Sequence, residues 1–164
     1  MTLGVPLFRV LISSLLAVNV AASQTRRVSP NPVPPGAGLV PDSLPEDISL
    51  VVRTEKGLVV VTGCGHAGVV NVVEYAQEVV GRDSAYAVVG GLHLFAAKDE
   101  ALAWTAERLR TAGLVYLLGA HCTGIEAVFR IRQLAGLRRR SAVVAAVGSS
   151  FDLAQGIDPL ALAQ

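Results

Sequence analysis

The sequence has few of the residues on which several protein classes depend. It contains only two cysteines, Cys64 and Cys122, which are too few for the disulfide framework of a small secreted domain. Aromatic residues make up 5% of the chain and the net charge is +1, so it has neither the basic surface nor the stacking residues that nucleic-acid binding normally requires. The apolar stretch near the amino terminus is too short for a transmembrane helix. We therefore expect no nucleic-acid partner and no membrane contact beyond a candidate signal peptide.

The 164 residues are 52% hydrophobic and 16% charged, which is typical of one globular domain. Residues 1–23 form a hydrophobic leader, and residues 20–22 resemble a signal-peptidase site. Residues 24–45 hold six of the eight prolines and read as a linker. We expect the folded part to span residues 46–151, with a tail at 152–164. The expected location is the cytoplasm, or outside the cell if the leader acts as a signal.

Alternating apolar runs and amphipathic stretches predict a mixed α/β fold. Residues 47–54 and 58–61 are predicted to be antiparallel strands joined by a tight turn. Helical spacing predicts helices at 69–80, 98–112 and 125–134, each ended by a glycine. Further strands are predicted at 85–89, 114–118 and 142–147. Three successive strand-helix units favour crossover connections and a sheet covered by helices.

The three histidines of the chain each follow an apolar run. His66 follows the run of valines at 59–61, which is typical of a strand buried on both faces, and His93 and His121 follow the next two predicted strands. Carboxyl ends of parallel strands meet at one edge of a sheet, so we expect these imidazoles to gather there. Imidazole is a common metal ligand, and the sequence therefore predicts a metal site at this edge.

A glycine pattern in the same segment leaves a second interpretation open. Gly63-x-Gly65-x-x-Gly68 has the spacing of the dinucleotide fingerprint and lies between a predicted strand and a predicted helix. Asp83 lies at the distance of the ribose-binding acid but precedes its strand instead of following it. A dinucleotide-binding domain stays an alternative.

The two cysteines lie close in sequence to His66 and His121. A reduced, cytosolic pair is one interpretation. Both cysteines follow predicted strands, so a disulfide or a sulfur ligand for a metal also stays open. A Cys122 nucleophile paired with a histidine is a third alternative.

Three segments, residues 58–71, 90–94 and 121–124, resemble the carboxyl-terminal half of metallo-β-lactamase-fold hydrolases. The similar branch is the one named after dihydropterin ribofuranosylaminobenzene phosphate synthase, and the resemblance covers about residues 45–151. It implies an αββα sandwich with a one- or two-metal site at the sheet edges.

The resemblance also implies roles for individual residues. His66 matches a ligand of the first metal and His121 a ligand of the second. His93 stands where many relatives have a bridging aspartate, so it is either a metal ligand or a substrate contact. Cys122 and Thr123 are assigned as further contacts to a small-molecule substrate.

The sequence departs from the family in one major motif. The string His-x-His-x-Asp-His, which belongs to the amino-terminal half of the family, does not occur. We therefore expect half of the sandwich, lacking the amino-terminal half, with a zinc, manganese or iron ion incompletely coordinated. The expected function is a truncated metal-dependent hydrolase, or a related transferase acting on a phosphate ester or a pterin, with impaired activity. One sheet face would be left bare, which predicts a second copy or a complementary chain as partner. A non-catalytic interaction module that pairs through this face is the alternative function.

Overall fold

The computed structural model describes residues 47–81 and 84–159, together with the backbone of residues 15–19. Within these residues, six strands form one mixed sheet in the order in which they occur along the chain. They are β1 (Leu15–Asn19), β2 (Ile48–Thr54), β3 (Gly57–Thr62), β4 (Ala87–Gly91), β5 (Tyr116–Ala120) and β6 (Ala142–Val144). Strands β1, β2 and β3 are antiparallel neighbours, whereas β3 to β6 run parallel.

Three helices connect the parallel strands: α1 (Val69–Val80), α2 (Asp99–Thr111) and α3 (Ile125–Leu134). Just beyond their ends lie Gly81, Gly113 and Gly136, with φ of 66°, 87° and 68°. Only glycine adopts this left-handed backbone without steric cost, so these residues stop the helices. The predicted α/β class and the three predicted helices are confirmed.

The main hydrophobic core lies between the helices and one face of the sheet. Val60, Val88 and Leu117 point from three adjacent strands into a single cluster with apolar side chains of all three helices. Each of these three side chains is fully buried. The helices therefore cover one face of the sheet, and this packing fixes the register of the parallel strands relative to one another.

The opposite face carries an apolar row, one residue from each of five paired strands. Each residue of the row lies opposite the next one on the neighbouring strand, and from β2 to β6 they are Leu50, Val61, Val89, Leu118 and Val143. Strands β7 (Ser150–Asp152) and β8 (Gly156–Asp158) form a small antiparallel hairpin that packs over the β5 and β6 end of this row. At the other end of the face, Ile48 is 67% exposed and Val61 36% exposed. The prediction that residues 59–61 are buried on both faces is therefore wrong at Val61.

Several strand boundaries differ from the predicted ones. β4 and β5 extend two residues further than expected, because Gly90, Gly91 and Gly119 pair in register instead of ending their strands. β6 ends at Val144 and not at residue 147, since the chain turns where the Ser149 N–H donates to the Ala146 carbonyl at 2.9 Å. Residues 150–158, for which the sequence predicted no element, form the hairpin.

The amino-terminal segment is described only in part. β1 lies within the predicted leader and pairs with β2. The signal-like residues 20–22 and the linker at 24–45 lie outside the described residues. None of the helices that the structure describes has the length and hydrophobicity needed to cross a membrane.

The tight packing of β3 against β4 is open to test at Gly90. This residue has φ of 129°, and a Cβ placed on it would lie 1.9 Å from the Thr62 carbonyl oxygen. Gly90→Ala should lower the free energy of unfolding by about 3 kcal/mol, combining backbone strain with overpacking. Urea unfolding followed by circular dichroism measures this.

The matched control is Gly63→Ala, at the residue that directly follows the end of β3. A Cβ at Gly63 meets no heavy atom within 4 Å, so this variant should change stability by less than about 1 kcal/mol. Equal stability of the two variants would contradict the close approach of the strands.

Candidate metal centre

The loops that follow β3, β4 and β5 carry the three histidines. The β3 loop (residues 63–68) contains His66, the β4 loop (residues 92–98) contains His93, and the β5 turn (residues 121–124) begins with His121. Because these three strands are parallel neighbours, their loops lie side by side at one edge of the sheet. The structure thus places all three histidines at the edge that the sequence predicted.

Hydrogen bonds tie the β4 loop to the β5 turn. The Leu92 N–H donates to Thr123 Oγ1 at 3.1 Å, and the His93 N–H donates to Cys122 Sγ at 3.3 Å. The Phe95 N–H donates to the Cys122 carbonyl at 3.2 Å. Thr123 is 1% exposed, so in this structure its side chain holds the β4 loop in place. Its role as a substrate contact stays a prediction.

The β3 loop is anchored on both sides. The Gly91 N–H donates to the Gly63 carbonyl at 2.8 Å, and the Ala67 N–H donates to Asp47 Oδ2 at 2.9 Å. A Cβ at Gly91 would lie 2.6 Å from the Gly63 oxygen and 2.8 Å from Cys122 Sγ. Glycine at this position therefore lets all three loops approach one another.

His66 and His93 contact each other directly. Their ring centroids lie 4.7 Å apart and the rings are nearly perpendicular, while the His93 ring also meets Phe95 edge-on at 5.5 Å. Among the described residues, His93 is the one non-glycine with a positive φ, 51°. Such a conformation costs roughly 1–2 kcal/mol and is common at functional sites. His93 Nδ1 is buried without a hydrogen-bond partner in the described part of the chain.

His121 lies beside the two cysteines. Its Nε2 is 3.5 Å from Cys64 Sγ, and its Nδ1 accepts a hydrogen bond from the Cys122 N–H at 2.6 Å. One ligand atom from each of these three residues lies within 4.8 Å of the other two. Partial burial raises the pKa of the Cys64 thiol above its usual value, and the neighbouring Cys122 and Asp47 add to the rise.

The edge therefore carries two neighbouring groups of side chains of types that can bind a metal, and among the described residues only the second brings three ligand atoms close to one another. One is the histidine pair, His66 and His93, and the other joins His121 to Cys64 and Cys122. Imidazole nitrogen and thiolate sulfur are both ligands of zinc and related metals. A buried imidazole nitrogen without a partner, such as Nδ1 of His93, fits a metal ligand better than a structural histidine, whose polar atoms are normally satisfied.

Sequence reasoning missed Asp47 as a member of this site. Its carboxylate is 6% exposed and fixes the backbone next to His66 through Ala67. The signal was present in the predicted topology, because the start of β2 lies beside the end of β3 in an antiparallel pair. The sequence predicts that Cys64 and Cys122 can approach each other, which the structure shows, but it does not predict the contact of Cys64 with His121.

Replacing Asp47 tests the anchoring of the β3 loop. Asp47→Ala leaves the part-buried Ala67 N–H without its acceptor, which should cost about 1 kcal/mol in the free energy of unfolding. The control is Glu55→Ala, which removes an exposed carboxylate from the turn between β2 and β3. Equal unfolding curves for the two variants would show that Asp47 does not hold the loop.

The effect of Cys122 on the Cys64 thiol gives a pH-dependent prediction. A negative charge or thiol at Cys122 disfavours the Cys64 thiolate, so Cys122→Ala should lower the pKa of Cys64. Alkylation by iodoacetamide requires the thiolate, and its pH midpoint should therefore fall. Peptide mass spectrometry of chelator-treated protein measures the modification of Cys64 separately from that of Cys122.

The control for that experiment is Ser150→Ala in the distant hairpin, which should leave the alkylation profile of Cys64 unchanged. A midpoint in Cys122→Ala that stays the same or moves to higher pH would contradict the interaction between the two thiols.

Comparisons with known proteins support the resemblance that the motifs predicted. The chain is 38% identical over 89 residues to 7,8-dihydropterin-6-methyl-4-(beta-D-ribofuranosyl)-aminobenzene-5'-phosphate synthase of Methanocaldococcus jannaschii, a match that covers 54% of this chain and 30% of that protein. It is 32% identical over 95 residues to the uncharacterized protein MJ0448 of the same organism, covering 58% of this chain and 34% of that protein. The chain thus spans about a third of the length of these curated relatives. No protein-family model matches it.

The fold comparison agrees with the sequence comparison. The crystal structure of Tm1679, described as a metal-dependent hydrolase of the beta-lactamase superfamily, superposes with a TM-score of 0.59 at 27% identity. The match covers 74% of this chain and 47% of that one. The predicted resemblance is confirmed: this chain is similar in sequence to the dihydropterin ribofuranosylaminobenzene phosphate synthase branch and has the fold of the metallo-β-lactamase superfamily.

Proposed function

We propose that this chain supplies the carboxyl-terminal part of a metal-dependent hydrolase centre that acts on a small-molecule ester or phosphate ester. The observation that carries the proposal is the placement of His66, His93 and His121 on three tied loops at one edge, with His93 Nδ1 buried and lacking a partner among the described residues. Similarity to a synthase of a phosphate ester and to a metal-dependent hydrolase supports the same chemistry.

His66, His93 and His121 are the residues that we expect to hold the metal. Zinc, manganese and iron all accept imidazole ligands. A divalent ion bound there would supply Lewis acidity toward an ester or phosphoryl oxygen of the substrate. The chain's own contribution is to fix the imidazoles: Asp47 and Gly63 anchor the β3 loop, and Cys122 anchors the backbone of His93.

The coordination that this sequence provides is incomplete for the family. The His-x-His-x-Asp-His motif is absent from the sequence, and three histidines cannot complete a two-metal site. We therefore propose that hydrolysis by this chain alone is slow and that full activity needs a complementary segment carrying the missing ligands. We also propose a cytoplasmic location, because Cys64 and Cys122 are free thiols and a reducing compartment keeps such a pair reduced.

A zinc-binding experiment tests the histidine assignment. The full chain, freed of metal with a chelator, should bind zinc, and His66→Ala or His93→Ala should weaken binding at least about tenfold, as expected for loss of a metal contact. The control is Gln133→Ala, an exposed position on α3, which should leave zinc affinity unchanged. Zinc content by mass spectrometry and hydrolysis of a chromogenic phosphodiester should fall together. Undiminished zinc binding when all three histidines are alanine would exclude this centre.

An interaction module is the second candidate function, and the exposed sheet face favours it. Ile48 and Val61 remain 67% and 36% exposed at the end of the apolar row that no described element covers. The net charge of +1 creates little repulsion between copies, so we propose a second copy of this chain as the occupant.

Light scattering after size-exclusion chromatography tests that pairing. Val61→Glu should turn the dimer into a monomer, because burying an unpaired carboxylate in the interface is costly. Val79→Glu, at a 45% exposed position on α1, should leave the dimer intact. A monomer in the unmutated protein at high concentration contradicts this candidate.

The dinucleotide-binding alternative has less support. The β3 loop with Gly63 and Gly65 does open α1 as the fingerprint requires. However, the end of β4 carries glycine and then His93, where a dinucleotide-binding fold has its ribose-binding acid. Asp83 lies outside the described residues.

A further inference from the structure

The group formed by Cys64, His121 and Cys122 has the composition of a sulfur-rich metal site. One ligand atom of each residue lies within 4.8 Å of the other two. The two cysteines come from different loops, so the juxtaposition is produced by the fold and not by closeness in sequence. We infer that these three residues bind a thiophilic divalent cation, such as Zn²⁺ or Cd²⁺, through two thiolates and one imidazole.

The separation of one pair of ligand atoms suits tetrahedral coordination. In a tetrahedral zinc site the Zn–S and Zn–N bonds are about 2.3 and 2.0 Å long, which places the sulfur and nitrogen ligands about 3.5 Å apart. Cys64 Sγ and His121 Nε2 are 3.5 Å apart. This pair is therefore already at the separation that a shared ion requires.

The position of the second sulfur is set by the backbone around it. The His93 N–H donates to Cys122 Sγ at 3.3 Å, and the absence of a side chain at Gly91 leaves room for this sulfur, since a Cβ there would lie 2.8 Å from it. An N–H donor stabilises a sulfur that carries negative charge. The loop thus holds Cys122 Sγ beside Cys64 and His121. In the metal-free structure its S–H donates to the Cys64 carbonyl at 3.4 Å, and this contact is given up when the thiolate binds an ion.

Metal binding at this site requires a defined transfer of protons. In the structure the Cys122 N–H donates to Nδ1 of His121 at 2.6 Å, so the ring proton of the neutral imidazole is on Nε2, facing Cys64. On binding, this proton leaves Nε2 and Nδ1 becomes protonated, which ends its contact with the Cys122 N–H. Each thiol releases one proton to solvent, and the two thiolates neutralise the charge of the divalent ion.

The choice of metal follows from the ligand type. Thiolates are soft ligands that favour zinc, cadmium and cobalt over magnesium, calcium and manganese. Three protein ligands leave a fourth position open, as in catalytic zinc sites. The inference does not rest on the proposed function, because His66 and His93 take no part in it. His121 belongs to both sets of ligands, and its Nε2 can bind one ion at a time, so an ion at the sulfur site leaves His66 and His93 as the ligands of any second ion.

Cobalt titration of the full chain tests this inference, since a thiolate bound to Co²⁺ gives a charge-transfer absorption in the near ultraviolet that an imidazole does not. The band should appear on adding Co²⁺ and disappear when Zn²⁺ displaces it. Cys64→Ser and Cys122→Ser should each lose most of the band and at least about tenfold in cobalt affinity. His66→Ala and His93→Ala should keep it.

Cobalt binding without the charge-transfer band, or a band that survives both serine substitutions, would overturn the inference. Hydrolysis and the zinc affinity of the histidine variants test the proposed function independently of the cobalt band. If hydrolysis and the effects of His66→Ala and His93→Ala on zinc affinity are absent while the cobalt band persists, the proposed function fails and the sulfur site stands.

A second measurement needs no variant, so it is independent of whether the serine proteins fold. Zn²⁺ should slow alkylation of both cysteines by N-ethylmaleimide in the unmutated chain at least about tenfold, because a ligated thiolate is not free to react. Mg²⁺ at the same concentration should give no protection. Equal alkylation rates with and without Zn²⁺ would contradict the site.

Discussion

The close parallel pairing of β3 with β4 is the constraint on which the candidate site depends. Gly90 lies so near Thr62 that a Cβ would fall 1.9 Å from its carbonyl oxygen, and the adjoining Gly91 N–H bonds to Gly63 at 2.8 Å. This contact brings the β3 and β4 loops together before any side chain is considered. The β5 turn then joins them through Cys122 and Thr123. The histidines and cysteines that follow these three strands therefore lie close together because the backbones of the loops are in direct contact.

The helix-covered face of the sheet provides the hydrophobic core, and the carboxyl edge of the sheet carries the candidate site. The helices bury the inner face of the sheet and fix the heights of the parallel strands, which fixes where their loops begin. Backbone strain is concentrated at the edge, where His93 holds a positive φ of 51° next to a buried ring nitrogen without a partner in the described chain. Strain of this kind persists only where surrounding contacts impose it, and it is common at binding and catalytic sites.

Most of the fold and part of the site could be predicted from the sequence. Helical spacing and terminal glycines located α1, α2 and α3, and the rule that parallel strands end at one edge placed His66, His93 and His121 together. Strand ends were harder to predict, since Gly90, Gly91 and Gly119 read as stops but pair in register. The contact between Cys64 and His121 depends on the approach of two loops that are 57 residues apart. The periodicity of apolar residues carries no information about such distances. It also did not reveal the hairpin at 150–158, whose strands are three residues each and whose apolar residues pack against the sheet face opposite the helices.

The central claim is that the three loops at the carboxyl edge of the sheet form a metal-binding centre. Anomalous diffraction at the zinc absorption edge from crystals of the zinc-loaded chain tests it most directly. The account predicts a peak at this edge, about 2.0–2.3 Å from ligand atoms contributed by at least two of the three loops. At saturating zinc, a peak found only elsewhere on the molecule, or none at all, would contradict it.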